Sequence, residues 1–493
     1  MPHLRRRRRI DLQHLLIIKR ILLVLLPVVA SVCVAQSPWP GQSGNSVGYA
    51  AYGSLSSTPC GSFSSGSSWS SATTVRNCAY STAQTINCDY CIFDSVDFNA
   101  GTGATTVSGS NILFMGDRFQ SNDSGSYNVF VSGASIYFFY DSVTPLASLY
   151  TSPPGAAWPS AGAGTNTYIQ TTGTNCINGN DGYEYGIFIN TGAGPVVIDH
   201  TDIWGMGVAV DWLSTAVGTS IVTNSWVHDP PNASPQGYHL DGVGYLNGAA
   251  GPNNIELIGN TIGFIGNTDA IAFQGTTSGY DNIQVVSNYL SGEEYTVHFT
   301  DSTTQATNSS FYGNVIGTDI AEIYGPLYGA IWNPGTGSVW ACNTISFLTG
   351  TTWTANGNWA PTSGMNGQYW VPSTTPNSAT DNGGNTICGG LAPSSLAWKS
   401  QEEGTSSTQT VTFTNNNSGT ISISSIAPAV GTYFTVSSTT CGSTLASGSN
   451  CSITVKFAPT VVGPLQDTIE VTDNSPSASS PQLIPLLGIG RPR

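Results

Sequence analysis

Apolar and polar positions alternate in short runs along most of this chain, and Gly, Ser, Thr and Asn separate the runs. Beyond the first 35 residues no long stretch carries apolar side chains at a 3.6-residue spacing. Alternation with period two marks strands that bury one face, so the pattern predicts an all-β chain. Six runs between Val197 and Ile345 end alike, with Asn (once Thr), one further residue and a large apolar side chain. They are Thr201-Asp202-Ile203, Asn224-Ser225-Trp226, Asn260-Thr261-Ile262, Asn288-Tyr289-Leu290, Asn314-Val315-Ile316 and Asn343-Thr344-Ile345. The anchors lie 23, 36, 28, 26 and 29 residues apart. A period drifting between roughly 20 and 35 residues is what a solenoid gives when unequal loops interrupt one side.

Three earlier coils fit the same scheme: Ile86 to Phe98, Val107 to Phe119 and Val131 to Val143. Two of them align closely, Asn111-Ile112-Leu113-Phe114 matching Ser135-Ile136-Tyr137-Phe138. Each later coil carries a second strand, at Gly186–Ile189, Val208–Asp211, Gly242–Tyr245, Ala270–Phe273, Thr296–Phe299 and Gly329–Trp332. Side chains flip along a strand. Ile187, Val208, Val243, Ile271, Val297 and Ile331 are therefore expected inside, with Phe188, Ala209, Gly244, Ala272, His298 and Trp332 outside. From residue 394 the alternation becomes strict, as in Thr410-Val411-Thr412-Phe413-Thr414-Asn415 and Ile453-Thr454-Val455-Lys456-Phe457, which predicts a separate β-sandwich.

The expected organisation is a signal peptide over 1–35, an N-terminal arm and cap over 36–83, and the solenoid over 84–350. A Trp/Gly/Pro-rich linker or cap follows over 351–393, and the sandwich over 394–490. The leader combines Arg5 to Arg9, Lys19 and Arg20 with apolar Ile21 to Val34 and small residues before a cut after Ala35, the layout of an export signal. Its apolar stretch is interrupted by Pro27 and is short for a membrane span, so no span is expected after cleavage.

Charge sharpens the picture. Seven of the 13 basic residues and one of the 28 acidic ones leave with the leader, so six basic and 27 acidic side chains remain, a net of about −21. Between Gln36 and Pro393 only Arg76 and Arg118 are basic. Such a surface repels nucleic acid and anionic membranes. Nine cysteines remain in an exported chain, where disulfides persist. Cys441 is expected to pair with Cys451, and Cys342 with Cys388. Cys88-x-x-Cys91 reads as a local staple or two core thiols, and Cys60, Cys78 and Cys176 stay unassigned.

The coil pattern resembles the right-handed parallel β-helix of the pectin-lyase-like superfamily. The resemblance implies a polysaccharide as substrate or ligand. It also assigns the repeated Asn to a stacked ladder in the tightest turn, where Asn tolerates a left-handed backbone and stacked amides bond along the axis.

The candidate chemistry falls in one window. All four histidines of the mature chain (His200, His228, His239 and His298) lie within it. Asp241 and Asp269 each precede an inward apolar residue by two, so they should occupy equivalent places on adjacent coils, about 4.8 Å apart. Carboxylates that close push one pKa up and suit acid/base work on a glycosidic bond. His239, Glu293 and Glu294 would assist catalysis, while His298, Gln274, Tyr245, Trp332 and Trp212 would bind the sugar. Two other readings stay open: the aspartates merely cap turns, or the cluster takes Ca²⁺ through oxygen ligands. No other cofactor is called for. Asn267-Thr268-Asp269 with Gly292-Glu293-Glu294 resembles polygalacturonase-type hydrolases, with Glu-Glu in place of Asp-Asp and without their His-Gly pair or basic Arg-x-Lys motif.

The last hundred residues look like the Ig-like "choice-of-anchor D" or Hydin-type modules of exported bacterial proteins. Asn417-Ser418-Gly419, Cys441-Gly442, Cys451, Phe457-Ala458-Pro459, Thr472-Asp473-Asn474 and Leu487-Gly488-Ile489-Gly490 carry that likeness. It implies attachment or spacing at a cell surface. The expected function is thus a secreted bacterial protein that cleaves or binds a polysaccharide, hydrolysis ahead of elimination, with a noncatalytic adhesin or surface protein as the alternative.

Overall fold

In the computed structural model two long sheets of mainly parallel strands are laid down by the same stretch of chain, which passes from one to the other and back. The structure describes residues 47–121, 127–146, 183–190, 192–213, 217–228, 241–245, 253–264, 269–273, 280–292, 295–298, 306–307, 309–317, 329–332, 339–341, 344–346, 352–353, 359–364, 367–372, 390–392, 395–415, 419–474 and 481–492. Among these the first sheet has 20 strands and the second 11. The fold is all-β. The only α-helix described, α1, is the short Gly48–Tyr52.

Each passage of the chain around both sheets is a circuit, and the register from circuit to circuit is unbroken. Phe93, Phe114, Phe138, Ile198, Val222, Leu257, Val285 and Phe311 form one column of paired positions in the first sheet. All are fully buried. A second column runs through Phe98, Phe119, Val143, Ile203, Val227, Ile262 and Leu290. Rings stack between circuits, Phe114 at 5.2 Å from Phe93 and 5.0 Å from Phe138. Ile112 pairs with Ile136 and Phe114 with Phe138, the alignment that the alternation predicted, because period-two burial fixes register whenever one face is core.

The corner between the two first-sheet strands of a circuit lies two residues before that second column. There a side chain of one circuit accepts the backbone N–H of the circuit before. Asn314 accepts from Asn288, Asn288 from Asn260, Asn260 from Ser225 and Ser225 from Thr201, at 2.9, 2.9, 2.9 and 3.1 Å. The expected ladder is present with two corrections. Its rung in the second of these circuits is Ser225, not Asn224. Apolar residues stand two places beyond both, and the pairing of Val227 with Ile203 and Ile262 decides between them. The left-handed backbone belongs to the residue before each rung: φ is +60° at Tyr140, +51° at His200, +48° at Asn224, +67° at Gly259 and +63° at Gly313. The Asn rungs are there for their amides. Asn343, Cys176, Cys342 and Cys388 lie outside the described residues.

The second sheet bends as its strands begin, and two successive side chains point inward. Ile187 pairs with Val210, Val210 with Val243, and Val243 with Ile271. Val208 is therefore not in the inner stack; it joins an outer cluster with Tyr185 and Phe188. Ala209, expected outside, lies in the core, and Asp211 takes its outer place beside Phe188 and Gly244. Small residues make the bend possible: a Cβ on Gly242 would come within 2.5 Å of Ile262 and of the Ala270 carbonyl.

Residues 390–491 form two further sheets, of four and five strands, around Trp398, Phe434, Val455 and Phe457. The last strand, Gln482–Arg491, is buried on both faces, which is why it reads as a nearly continuous apolar run. Ile484 and Leu486 face the module's own core, whereas Leu487 and Ile489 pack with Leu113, Met115, Phe139 and Val197 of the first sheet. The N-terminal arm joins the same contact: Tyr52 packs over Gly116 and Lys399 caps the Ala51 carbonyl. Three disulfides are described, Cys60–Cys78, Cys88–Cys91 and Cys441–Cys451.

Candidate functional site

On the outer side of the second sheet two columns run side by side. The first passes through Tyr127, Tyr185, Val208 and Asp241. Asp269 stands at the equivalent place one circuit beyond Asp241, two residues before Ile271. The second passes through Phe130, Phe188, Asp211, Gly244, Ala272 and His298. Aromatic rings fill the early circuits, with Tyr127 on Tyr185 at 5.4 Å and Phe130 on Phe188 at 5.8 Å. Carboxylates and a histidine fill the later ones.

Asp241 and Asp269 do not face solvent side by side. They are 0% and 1% exposed. Oδ1 of Asp241 accepts the backbone N–H of Asp269 at 2.9 Å, a bond that ties one circuit to the next. The carboxylate of Asp269 turns the other way, with Oδ2 at 3.2 Å from Nδ1 of His298, whose side chain is 10% exposed. A buried carboxylate that holds an imidazole fixes its tautomer and raises its basicity. This chain can thus form an Asp–His pair reaching the surface, but not an open pair of carboxylates.

The remaining candidates divide. Trp212 is fully buried in the core and pairs with Ile189, so it is not a sugar platform. The bend that turns Val210 inward turns Trp212 inward with it. Tyr245 pairs with Phe273, and Trp332 with His298. His239, Gln274, Glu293 and Glu294 lie outside the described residues. His200 stacks on Tyr140 at 4.5 Å. His228 stacks on Trp226 at 3.6 Å and places Nε2 at 2.8 Å from Asp202; both histidines belong to the first sheet. Asp211, 1% exposed in the same outer column as His298, is the residue that sequence reasoning missed. Aligning Val210 rather than Val208 with Ile187 would have found it. Among the described residues no three His, Cys, Asp or Glu side chains converge as a bound metal ion requires.

Residues 391–491 match the family profile of Cep192 domain 4. That module is similar to Cep192 domain 4. The solved ASH/PapD-like domain of human CEP192 is 17% identical, covering 21% of this chain and 86% of that domain, with a TM-score of 0.19. The VesB protease of Vibrio cholerae is 17% identical over 20% of this chain and only 31% of its own, at 0.18. A protein of unknown function from Porphyromonas gingivalis is 15% identical over 27% of this chain and 64% of its own, at 0.17. Overlays this weak carry no weight for activity. No curated protein matches the sequence. The Cep192-like module meets the first sheet, whereas the Asp–His pair stands on the second.

Proposed function

We propose that this chain is an exported protein that binds a polysaccharide along the outer face of its second sheet. In this reading residues 84–350 are a right-handed parallel β-helix of the pectin-lyase-like kind, and the Cep192-like module is an Ig-like attachment module held rigidly against it. The observation that carries the reading is the outer strip itself. Half-buried Tyr127 and Phe130 begin it, and His298 on Asp269 lies further along in unbroken register. Aromatic faces beside acceptor-rich side chains suit sugar rings and their hydroxyls. Three disulfides fit an oxidising compartment. No helix among the described residues is long and apolar enough to cross a membrane.

Binding is placed ahead of cleavage because Asp241 is committed to a backbone amide. Two-carboxylate hydrolysis needs both groups free to reach the glycosidic bond. The Asp269–His298 contact favours one alternative, in which His298 acts as a general base. Affinity electrophoresis of the whole chain in neutral and acidic polysaccharides, run beside assays for new reducing ends and unsaturated products, tests both. We expect retardation by one polysaccharide class, weakened in His298→Ala, and no new ends. Retardation by none would end the proposal. New ends that disappear in His298→Ala would make the protein an enzyme.

A further inference from the structure

The first sheet and the Cep192-like module do not close completely on one another. Between them lies a crevice of about 240 Å³. Its walls are apolar where Leu396, Val430 and Leu486 contribute and acidic where Asp199, Glu256 and Asp467 do; among the described residues no Lys, Arg or His lines it. The aspartate of the module is satisfied, its two oxygens accepting the N–H groups of Val430, Gly431 and Thr468. The two carboxylates from the sheet are not. Asp199 is 0% exposed; Oδ1 accepts from Asn224 at 3.0 Å and lies 3.0 Å from Nδ1 of His200, while Oδ2 has no hydrogen-bond partner. Glu256 stands on the outer face of Asn253–Ile258, between Ile221 and Gln284 in register. Burial raises its pKa.

We propose that this crevice binds an alkylammonium group, from a free amine or a lysine side chain, with the ammonium against Glu256 and Asp199 and the stem along Leu396 and Val430. Asp199 leaves one buried oxygen unmet and half-buried Glu256 is partly desolvated, and a cation that donates hydrogen bonds relieves both costs. A neutral sugar would leave the charges uncompensated. A metal ion would need three converging ligands, which the described residues do not supply. The site is independent of the polysaccharide strip, so either can fail alone.

Thermal denaturation of the whole chain tests it, with n-butylammonium chloride compared against n-butanol, sodium chloride and calcium chloride. A saturable rise in Tm is expected with n-butylammonium alone among these probes. Glu256→Gln should weaken the apparent affinity about tenfold, the equivalent of ~1.4 kcal/mol. Val430→Trp, at a side chain 73% exposed at the crevice, should remove the effect by filling the space without disturbing a core. N-acetyl-lysine N-methylamide separates the sources: a matching shift points to a lysine-bearing partner, its absence to a free amine. An equal shift with n-butanol, a shift with calcium in place of n-butylammonium, no shift with n-butylammonium, or shifts unchanged in both variants would overturn the proposal.

Discussion

The corners of the early circuits are bridged by carboxylates and those of the last described circuits by amides, with the Ser225 hydroxyl between them. Asp117 and Asp141 occupy the early rungs. Asp117 accepts the Val96 and Met115 N–H groups at 2.6 and 3.2 Å, and Asp141 accepts those of Asp117 and Phe139 at 2.7 and 2.9 Å. Asn260 and Asn288 each accept one backbone N–H, and each donates from its own amide to the next rung's Oδ1 at 3.0 Å and to the Val222 or Leu257 carbonyl. The backbone requirement is the same: an N–H left over at a corner must be met. A carboxylate meets two such donors with no donor of its own. An amide meets one and passes a hydrogen bond onward, without charge. The Asp end is therefore sensitive to pH, and the Asn end is not. The Asp end is also the one roofed by the N-terminal arm and the Cep192-like module, since Met115 and Phe139, whose amides the two aspartates hold, pack against Leu487 and Ile489.

The largest effect is expected from breaking an amide rung. Asn288→Ala would strand the Asn260 N–H and the Leu257 carbonyl in the core. At about 1–3 kcal/mol for each buried group left unmet, roughly 3 kcal/mol of stability should be lost, measured by denaturant unfolding. A loss below about 1 kcal/mol would mean that water replaces the amide. Next comes the roof. Leu487→Ala removes buried apolar volume between module and sheet and should cost about 2 kcal/mol. It should also admit water above Asp117 and Asp141 and so flatten the dependence of stability on pH.

That dependence is the third test. Burial pushes the carboxyls of Asp117 and Asp141 well above the usual carboxylate range, and for Asp117 the neighbouring Asp141 adds to it. In the unfolded chain each would titrate near ~3.9. Because the folded value is the higher one, the stabilisation is complete below the unfolded pKa and is lost as pH rises through the folded one. Stability should fall with rising pH at up to about 1.4 kcal/mol per pH unit for each group titrating. Asp117→Asn with Asp141→Asn should remove most of that slope. A slope unchanged in the double variant would place its origin elsewhere.

Much of the architecture was legible because period-two alternation and a drifting repeat are local signals, and the columns from Phe93 to Phe311 follow them. Two kinds of position were not. Ser225 and Asn224 are equally spaced from an apolar residue, so only pairing with neighbouring circuits could choose the rung. Val208 and Ala209 sit where the strand bends, and strict alternation fails wherever two successive side chains turn inward. The same failure hides Asp211 and makes buried Trp212 read as a surface aromatic. Asp241 and Asp269 were placed on adjacent circuits correctly, but sequence spacing does not reveal that the amide of Asp269 reaches back to Asp241. The Asp rungs were missed for a related reason: the ladder was sought as Asn, although any short acceptor fits the corner.

The smallest effect probes where module and ladder meet. Ser395 donates to Oδ1 of Asn224, the left-handed residue before the Ser225 rung, and Thr223 donates to Ser395 at 3.4 Å. This contact lies along the ladder from the two aspartates, on the side of the neutral rungs. Ser395→Ala should cost about 1 kcal/mol, the usual net worth of one hydrogen bond, and should leave the pH slope as steep as before. Leu487→Ala acts above the carboxylates and should flatten it. If Ser395→Ala flattened the slope as well, the module would act on Asp117 and Asp141 as one rigid lid. If only Leu487→Ala did so, local burial at Met115 and Phe139 would be what raises the two carboxyls' pKa.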